Sequence, residues 1–317
     1  MNSKVITMGV DLGGTNLRVA AMDERGALVA VDRAPLEDSS PEAVLRSMRS
    51  RVERTAGEAG CSLRSVGALC IALAGQVHRA TGVVALGPNL GWRNIPFGEM
   101  LSGVFPFPVR LENDLWAAAW GERTAGAGEG SDNLALVAVG SGVGAGLIEA
   151  GGLMDGAGGL AGEIGHIKVV PDGEPCGCGE RGCLEAYTGG HRMTGRALRF
   201  WKEAGVERPL GMEPGSITMK DVYRAFEEED PVARRVLAEA GAHLGLSIAN
   251  LVTLLNPGRV ILAGGVLLGA PYLVERVLES VAAYTSAPAR GEVSVRMAAL
   301  GDDAGLVGAG HLARDLL

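Results

Sequence analysis

Three of the five cysteines in this chain, Cys176, Cys178 and Cys183, lie within eight residues, and His166 lies ten residues before the first of them. One imidazole and three thiolates, separated by glycines that let a loop fold tightly, form the donor set of a closed tetrahedral zinc site. A disulfide is not expected, because Cys176 and Cys178 are too close in sequence to pair easily and nothing indicates secretion. The segment 159–188 therefore predicts a structural zinc site with these four ligands.

Two glutamates flank the predicted zinc ligands. Glu163 precedes His166 by three residues, and Glu185 follows Cys183 by two. If one ion binds His166 and Cys183, it also holds the two carboxylates close together, which would preorganise acceptors for a polyhydroxylated ligand. Without the metal, two solvated surface acids would be the default interpretation.

The N-terminal segment predicts a phosphate-binding hairpin. An apolar run, 5–10, leads into Asp11-Leu-Gly-Gly-Thr and then into a second apolar run, which is the pattern of two strands joined by a turn. Gly13 and Gly14 let backbone N–H groups approach a phosphate, and the Thr15 hydroxyl adds a donor. Asp11, at the end of a strand and beside phosphates, is suited to hold Mg²⁺ through its waters.

A second glycine turn repeats this pattern. The apolar strand 133–139 is followed by Gly140, Ser141 and Gly142 and then by more apolar residues. Two such hairpins suggest a duplicated lobe in which each copy supplies phosphate-binding backbone. The sequence has no G-x-x-x-x-G-K-[ST] motif, and neither turn has the dinucleotide-binding layout, which argues against a Rossmann fold. Gly264-Gly265, after a predicted strand, would let a ring or phosphate lie on the backbone.

Two further stretches carry polar residues that suit a ligand. Asn113 and Asp114 follow the predicted strand 109–112 and precede a helix. In isolation they are explained as helix capping, and alternatively they present a positioning amide and a general base. Asn89 lies in a turn-rich loop, where its amide would address a ligand hydroxyl.

Periodicity predicts the main helices. A helix is expected after Ser40-Pro41, which supply a cap hydroxyl and a first-turn proline. A long helix is expected from Pro231 to about Leu255, and a strand from Glu292 to Met297.

Composition excludes several classes of function. The 317 residues carry a net charge of −8 without a basic cluster, which argues against nucleic-acid binding. The most apolar stretch, 134–148, is shorter than the ~20 residues of a membrane helix. Because the chain enters a strand-like run almost at once, no signal peptide is expected. The prediction is a cytoplasmic globular protein with room for two domains.

These landmarks, in this order and across essentially the whole chain, resemble the ROK family (repressors, open reading frames, kinases). The resemblance implies an α/β, actin/hexokinase-like (ribonuclease H-like) two-lobe fold with an ATP/sugar cleft between the lobes. The expected small lobe is 1–118 plus a C-terminal helix, 303–317. The expected large lobe is 119–302 and carries the zinc-binding segment 159–188.

The resemblance also implies ATP-dependent phosphorylation of a hexose, most often glucose at its 6-hydroxyl, with Mg²⁺ and structural Zn²⁺. Asp114 resembles the catalytic base. The residues that resemble sugar contacts are Asn89, Asn113, Glu163, His166 and Glu185. The residues that resemble nucleotide contacts are Asp11, Gly13, Gly14, Thr15, Gly140, Ser141, Gly142, Gly264 and Gly265. The family resemblance suggests a homodimer or homotetramer.

The chain departs from the family pattern in two places. Ala74-Gly75 stands where the family commonly has Pro-Gly, so the sugar's wall in the first lobe is expected to differ. Ser141 stands where threonine is usual, which keeps the hydroxyl.

Other interpretations stay open at this stage. N-acetylmannosamine kinase and fructokinase use the same residue types, and ADP or polyphosphate could replace ATP as donor. A sugar-sensing repressor would need an N-terminal helix-turn-helix, whereas the first strand is expected by about residue 4. A non-catalytic actin-like assembly protein would leave the zinc segment and the paired glutamates unexplained.

Overall fold

The computed structural model describes residues 6–206 and 217–317. The chain divides into two compact units: the first comprises Met1–Leu134, Gly146–Ala161 and Ala298–Leu317, and the second Ala135–Ala145 and Gly162–Met297. Val5, the first residue of the predicted N-terminal strand, lies outside the described residues.

The described residues form thirteen strands and eleven α-helices. The strands are β1 Ile6–Leu12, β2 Asn16–Met22, β3 Leu28–Pro35, β4 Val66–Leu73, β5 Gln76–His78, β6 Val83–Gly87, β7 Trp92–Ile95, β8 Val109–Asn113, β9 Leu134–Val139, β10 Val143–Glu149, β11 Gly152–Leu153, β12 Arg259–Ala263 and β13 Ser294–Met297. The helices are α1 Pro41–Glu58, α2 Phe97–Leu101, α3 Asp114–Ala125, α4 Glu185–Thr188, α5 Gly190–Glu203, α6 Met219–Glu227, α7 Pro231–Leu255, α8 Gly265–Leu268, α9 Pro271–Tyr284, α10 Ala287–Glu292 and α11 Ala304–Arg314.

A five-stranded sheet of order β3-β2-β1-β4-β8 organises the first unit. β1 pairs antiparallel with β2 and parallel with β4, and β4 pairs parallel with β8. The register places Leu12 beside Leu73, and Leu73 beside Asn113. The carboxyl ends of the three parallel strands therefore meet at one edge of the sheet, which is where ligands bind in many α/β proteins.

Two helical layers cover this sheet. α1 begins at Pro41 and buries Val44, Met48 and Val52 on one face. On the other face, α3 and α11 pack at unusually short range, because glycines replace side chains at the contact. A side-chain carbon at Gly308 would lie 1.7 Å from the Ala117 carbonyl oxygen.

The N-terminal strands and the C-terminal helix α11 thus belong to one unit. The boundary expected at residue 118 falls inside α3, whereas the structure keeps all of α3 in the first unit. The physical reason is that α3 packs against α11 along its length, through positions such as Ala117 and Gly121.

The second five-stranded sheet has the order β11-β10-β9-β12-β13. β9 and β10 each cross the division of the chain between units, and β12 pairs parallel with β13. In the second unit, α4 to α10 and the segment around the four predicted zinc ligands account for most of the remaining chain.

The long helix α7 has the predicted start and end. The Ala233 N–H donates to the Asp230 carboxylate at 2.7 Å, which caps the helix, and Asn256, with φ of 47°, ends it in the left-handed conformation. In the described parts of the chain, α7 is the one helix long and apolar enough to cross a membrane, yet 61% of that window is buried. This burial is typical of a core helix in a soluble protein.

The sequence-based prediction was wrong at one strand and incomplete elsewhere. The strand expected from Glu292 begins at Ser294, because Glu292 is the last residue of α10. The small sheet β5-β6-β7 was not predicted, and Asn89 lies in a 3-10 turn, Pro88–Leu90, between two of its strands.

Candidate active-site residues and metal centre

The first glycine turn joins β1 to β2 and lies against the loop that carries Asn89. The Gly13 N–H donates to the Asn16 carbonyl oxygen at 3.0 Å and closes the turn. A side-chain carbon at Gly14 would lie 2.7 Å from the Asn89 carbonyl oxygen and 2.8 Å from its Cβ. Only glycine fits at this contact, and the contact fixes Asn89 next to the predicted phosphate turn.

Asp11 lies near the end of β1, directly across from Arg18 on β2. Burial raises the pKa of Asp11 to about 6; the Arg18 charge acts in the opposite direction, and Asp302 and Asp303 add to the increase. Arg18 Nη1 lies 3.6 Å from the Asp11 carboxylate. A partly buried carboxylate with two further acids nearby favours a bound cation, so its chemistry fits Mg²⁺.

Asn113 takes the capping role that the sequence alone left open. Asn113 is the helix cap, since the N–H groups of Leu115 and Trp116 donate to its side-chain oxygen at 2.9 and 3.1 Å. Its amide nitrogen donates to the Gly75 carbonyl oxygen at 2.9 Å. Asp114 is the first residue of α3, and its Oδ1 accepts from the Leu115 N–H at 3.0 Å. Asn113 therefore fixes the backbone from which Asp114 projects.

The start of α11 lies against both predicted acids of the first unit. A side-chain carbon at Gly305 would lie 3.8 Å from Asp11 Cγ and 3.7 Å from the Asp114 carbonyl oxygen. The first unit thus gathers its predicted site residues near the carboxyl edge of its sheet. These residues are Asp11, Gly13, Gly14, Thr15, Asn89, Asn113 and Asp114.

The second glycine turn joins β9 to β10 in the second unit. The Gly140 N–H donates to the Gly142 carbonyl oxygen at 2.9 Å, and the Gly190 N–H donates to the Gly140 carbonyl oxygen at 2.9 Å. Ser141, between the two glycines, is exposed. The backbone of this turn is therefore closed by its own hydrogen bond and tied to the start of α5.

Gly264 lies next to the end of β9. Its φ is +94°, and a side-chain carbon there would lie 2.3 Å from the Val139 carbonyl oxygen. Gly265 then begins α8. The two glycines let the backbone pass close to the strand that leads into the second glycine turn.

The four predicted zinc ligands lie together in the second unit. One ligand atom from each of His166, Cys176, Cys178 and Cys183 lies within 4.8 Å of the other three. Cys178 Sγ lies 3.8 Å from Cys183 Sγ, and Cys176 Sγ lies 3.8 Å from His166 Nδ1. A zinc tetrahedron with Zn–S bonds of about 2.3 Å has S···S edges of about 3.8 Å, so the residues present fit the ion.

The electrostatic surroundings of the thiols also favour a metal. Burial raises the pKa of Cys176 to about 12, so an ion would be needed to hold that sulfur as a thiolate. The backbone N–H of Glu180 lowers the pKa of Cys178. Lys168 Nζ lies 3.0 Å from Cys183 Sγ and offsets part of the negative charge of three thiolates. Sequence reasoning missed Lys168, whose only signal is its position two residues after His166.

Glu185 connects the metal centre to the second glycine turn. Its Oε2 accepts a hydrogen bond from the Val143 N–H at 3.0 Å, and its Oε1 lies 3.8 Å from Cys176 Sγ. Glu163 Oε2 lies 3.6 Å from His166 Nε2. Both predicted carboxylates therefore border the metal centre, and the additional contact of Glu185 with the glycine turn, 42 residues away in sequence, had no sequence signal.

Further contacts join the segment that carries the predicted zinc ligands to neighbouring helices. The Glu174 N–H donates to the Tyr187 hydroxyl at 2.8 Å, and the Arg196 guanidinium stacks 4.9 Å from the Tyr187 ring centroid. Arg196 also pairs with Glu239 on α7. These contacts fasten the residues on either side of the cysteines to α5 and α7.

Comparison with known proteins decides the family. The model of the ROK family matches residues 7–316. The chain belongs to the ROK family.

Characterised ROK proteins resemble the chain over nearly its full length. A glucokinase from Streptomyces coelicolor is 34% identical over 98% of this chain and 98% of its own. The crystal structure of a ROK hexokinase from Thermus thermophilus superposes with a TM-score of 0.86 at 31% identity, covering 98% of each chain. The ROK glucokinase from Streptomyces griseus, crystallised with glucose and AMPPNP, gives a TM-score of 0.79 at 33% identity over 98% of this chain and 99% of that one. The actin/hexokinase-like fold inferred from the sequence is confirmed.

The family also includes regulators. A xylose repressor from Caldicellulosiruptor bescii is 28% identical over 276 residues, which are 86% of this chain but 69% of the repressor. The glucokinases are matched at higher identity and over nearly all of their own length, which favours the enzyme branch of the family.

Proposed function

We propose that the protein is an ATP-dependent hexose kinase whose preferred acceptor is the 6-hydroxyl of glucose, with Asp114 as the general base. The chain is an ATP-dependent sugar kinase by its full-length similarity to glucokinases. The proposal adds the choice of sugar and the role of each residue.

One observation carries the proposal. Within the first unit, Asp114 lies at the same sheet edge as Asp11 and the first glycine turn, because β1, β4 and β8 run parallel and their carboxyl ends meet there. Phosphoryl transfer requires little beyond a positioned acceptor and stabilised phosphate charge. Asp114, at the start of a capped helix, would position the acceptor hydroxyl, and the nearby glycine turn would stabilise the phosphate charge.

In the proposed reaction the 6-hydroxyl oxygen of the sugar forms a bond to the γ-phosphorus of ATP. The bond from that phosphorus to the β–γ bridging oxygen breaks, and the electron pair leaves with ADP. The hydroxyl proton passes to the Asp114 carboxylate as the new bond forms, since an aspartate is too weak a base to ionise an alcohol beforehand. Asn113 holds the helix start that aims Asp114, through its bonds to Gly75 and Leu115.

The remaining hydroxyls of the sugar are assigned to side chains from both parts of the sequence. Asn89 and Asn113 supply amides, and Glu163 and Glu185 supply carboxylate acceptors. His166, whose Nδ1 faces the cysteines, supplies a donor through its other ring nitrogen. His166, Cys176, Cys178 and Cys183 would hold Zn²⁺, which would fix the backbone of that segment, while the two carboxylates stay available to the sugar.

The nucleotide is assigned to the two glycine turns. The N–H groups of Gly13 and Gly140 close the two turns, and those of Gly14, Thr15, Ser141 and Gly142 bind the phosphates. Gly264 and Gly265 lie under the adenosine. Mg²⁺, held near Asp11, neutralises phosphate charge when it is bound.

The substrate assignment is tested by measuring ADP release in a coupled assay across a panel of sugars. The panel is glucose, mannose, fructose, N-acetylglucosamine and N-acetylmannosamine, with ADP and polyphosphate as alternative donors. We expect kcat/KM to be highest for glucose with ATP. A maximum at N-acetylmannosamine or fructose would contradict the sugar assignment, and an absence of transfer to every sugar would contradict the kinase assignment itself.

We also propose that the enzyme works in the cytoplasm as a homodimer or homotetramer. Family resemblance supports the assembly. Light scattering of the purified chain at its working concentration tests it, and a monomer would contradict it.

A further inference from the structure

The first unit contains a pocket that the proposed kinase mechanism does not use. Its volume is about 530 Å³, within the range of roughly 300–1,000 Å³ that small-molecule sites occupy. It lies along β8, the strand at the end of the first sheet. We call it the β8 pocket. Its lining residues are Arg79, Thr81, Gly82, Gly98, Leu101, Ser102, Gly103, Phe105, Phe107, Val109, Arg110, Leu111 and Leu316.

Two arginines of the β8 pocket share one oxygen of a buried carboxylate. Arg110 Nε donates to Glu112 Oε2 at 3.0 Å, Arg110 Nη2 contacts the same oxygen, and Arg79 Nη2 lies 3.2 Å from it. Glu112 is fully buried, and among the described residues its Oε1 has no hydrogen-bond partner. Two guanidinium groups thus meet one carboxylate at the pocket wall, and both remain partly exposed.

The other acids near these arginines lie outside the pocket. Arg79 Nη1 pairs with Asp155 at 2.9 Å, and Arg110 Nη1 lies 3.9 Å from Asp315. Neither aspartate lines the pocket, and both side chains are about half exposed. Ion pairs this exposed are weak, so an anion that enters the pocket can exchange with them.

The β8 pocket also has apolar lining residues. Leu101 and Phe105 are buried, and the rings of Phe105 and Phe107 stack with centroids 5.4 Å apart. Among the lining residues, the backbones of Gly82 and Gly98 approach so closely that a side-chain carbon at Gly98 would lie 2.8 Å from Gly82 Cα. The pocket therefore combines an apolar surface with two fork-shaped donors, which match carboxylate and phosphate groups.

We propose that the β8 pocket binds a small organic anion: a flat apolar body that carries one carboxylate or phosphate group, held by Arg79 and Arg110. Glu112, which these arginines contact, directly precedes Asn113 and Asp114 on the chain. An anion that pairs with the arginines in place of Asp155 and Asp315 changes the charge around Glu112 and so acts on the strand that ends at the proposed base. The ligand is therefore an effector of the enzyme, and this consequence, unlike the binding itself, rests on the proposed function.

Binding is tested by calorimetric titration of the full-length protein with benzoate, phenyl phosphate and, as the neutral control, benzyl alcohol. For ligands of this size we expect Kd on the order of 1 mM for at least one of the two anions. Comparing the Kd of benzoate with the Kd of phenyl phosphate shows whether the pocket prefers a carboxylate or a phosphate. Absence of binding by both anions at about 20 mM, or equal binding of benzyl alcohol, overturns the proposal.

Two variants at one exposed lining position place the binding in the pocket. Ser102→Trp fills the pocket without removing either arginine, and we expect it to weaken anion binding at least tenfold. Ser102→Ala is the matched control and should stay within twofold of wild type. Unchanged affinity in Ser102→Trp overturns the assignment to this pocket.

The effector role has a separate readout. A saturating anion should change the rate of sugar phosphorylation in wild type and leave Ser102→Trp unaffected. Anion binding without any change in rate overturns the effector role. If the kinase assignment fails instead, phosphorylation is absent for every sugar while anion binding is retained, so the two failures are distinguishable.

Discussion

At the scale of single residues, Glu185 contacts two separate parts of the proposed site. One of its oxygens accepts from the N–H of Val143, which directly follows the second glycine turn, and the other lies 3.8 Å from Cys176 Sγ. A single carboxylate therefore connects the segment proposed to bind sugar with the turn proposed to bind phosphate. Substitution at this position should affect both substrates.

We predict that Glu185→Gln raises KM for glucose by about 10- to 100-fold, the loss expected for one hydrogen bond to a charged group. KM for ATP should rise by a smaller factor, because the glutamine retains an oxygen for the Val143 N–H. Steady-state kinetics in both substrates measures this. Glu180→Gln is the control, since its side chain is 73% exposed on the same segment and should leave both KM values unchanged. Unaltered KM values in Glu185→Gln would refute the role of this residue.

Glu112 predicts a pH dependence of stability. Burial raises its pKa from 4.5 to about 7, although the Arg79 charge acts in the opposite direction. A carboxyl whose pKa is higher in the folded state binds more protons folded than unfolded between these two values. The unfolding free energy should therefore fall as pH rises from about 4.5 to about 7, and then level off.

The measurement is urea unfolding of wild type and of Glu112→Gln from pH 5 to pH 8. As pH rises over this range, the unfolding free energy of wild type should fall relative to that of Glu112→Gln. The relative change should be on the order of 3 kcal/mol at most. The glutamine variant also loses ion pairs, so the slope with pH is diagnostic, not the offset. A difference that does not vary with pH would show that Glu112 stays ionised throughout.

At the scale of elements, the contact between α3 and α11 depends on the absence of side chains. Gly308→Ala would place a carbon 1.7 Å from the Ala117 carbonyl oxygen and 2.7 Å from the Gly121 nitrogen. The helices would have to separate, so we predict a loss of about 1–3 kcal/mol or more in unfolding free energy. Gly57→Ala in α1 is the control. A side-chain carbon there would meet no atom within 4 Å apart from its chain neighbours and the backbone of its own helix, so the substitution should be neutral or stabilising by up to about 1 kcal/mol. Equal effects of the two substitutions would contradict the packing account.

The metal-binding segment is the second element that the proposal depends on. Cys178→Ser should remove the bound zinc, measured by metal analysis, and raise KM for glucose at least tenfold while AMPPNP affinity changes less. Cys61→Ser, at a half-buried thiol elsewhere, should retain one zinc per chain and normal kinetics. A Cys178→Ser protein that binds glucose normally would show that the metal does not position the sugar contacts.

Local chemistry explains which elements could be predicted from the sequence. The bounds of α7 follow from a cap at Asp230, a first-turn proline and a stop at Asn256, and all three act within a few residues. The zinc ligands could be predicted as one site because three cysteines within eight residues of a chain without signs of secretion are typical of a metal site. Asn113 and Asp114 were ambiguous in sequence, because a cap and a base use the same residue types. The hydrogen bonds of the folded chain identify Asn113 as the cap, and the role of Asp114 as base stays a prediction.

The features that sequence did not reveal depend on long-range packing. Glu122 appeared in the sequence as an ordinary residue near a helix end, yet it is fully buried. Its carboxylate accepts from the N–H groups of Ala127, Ala299 and Leu300 at 2.7, 3.1 and 2.8 Å. The contact of Glu185 with Val143 and the β8 pocket are of the same kind. No local pattern encodes partners that are tens or hundreds of residues apart.

At the scale of the whole molecule, the chain is a ROK protein in which each of the two units carries one glycine turn and one set of polar side chains. The account assigns the proton transfer to the first unit, through Asp114, and the metal-supported sugar contacts to the second. Sugar binding and chemistry should therefore be separable by mutation. A substitution at Asp114 should stop transfer while glucose still binds.

The most direct measurement is a paired one on Asp114→Asn: kcat for glucose phosphorylation by ADP release, and glucose affinity by calorimetry. The account predicts that kcat falls by about 10²–10⁴ or more, while Kd for glucose stays within a few-fold of wild type. A variant that phosphorylates glucose at close to the wild-type rate would contradict the assignment of Asp114 as the base, and with it the proposed mechanism.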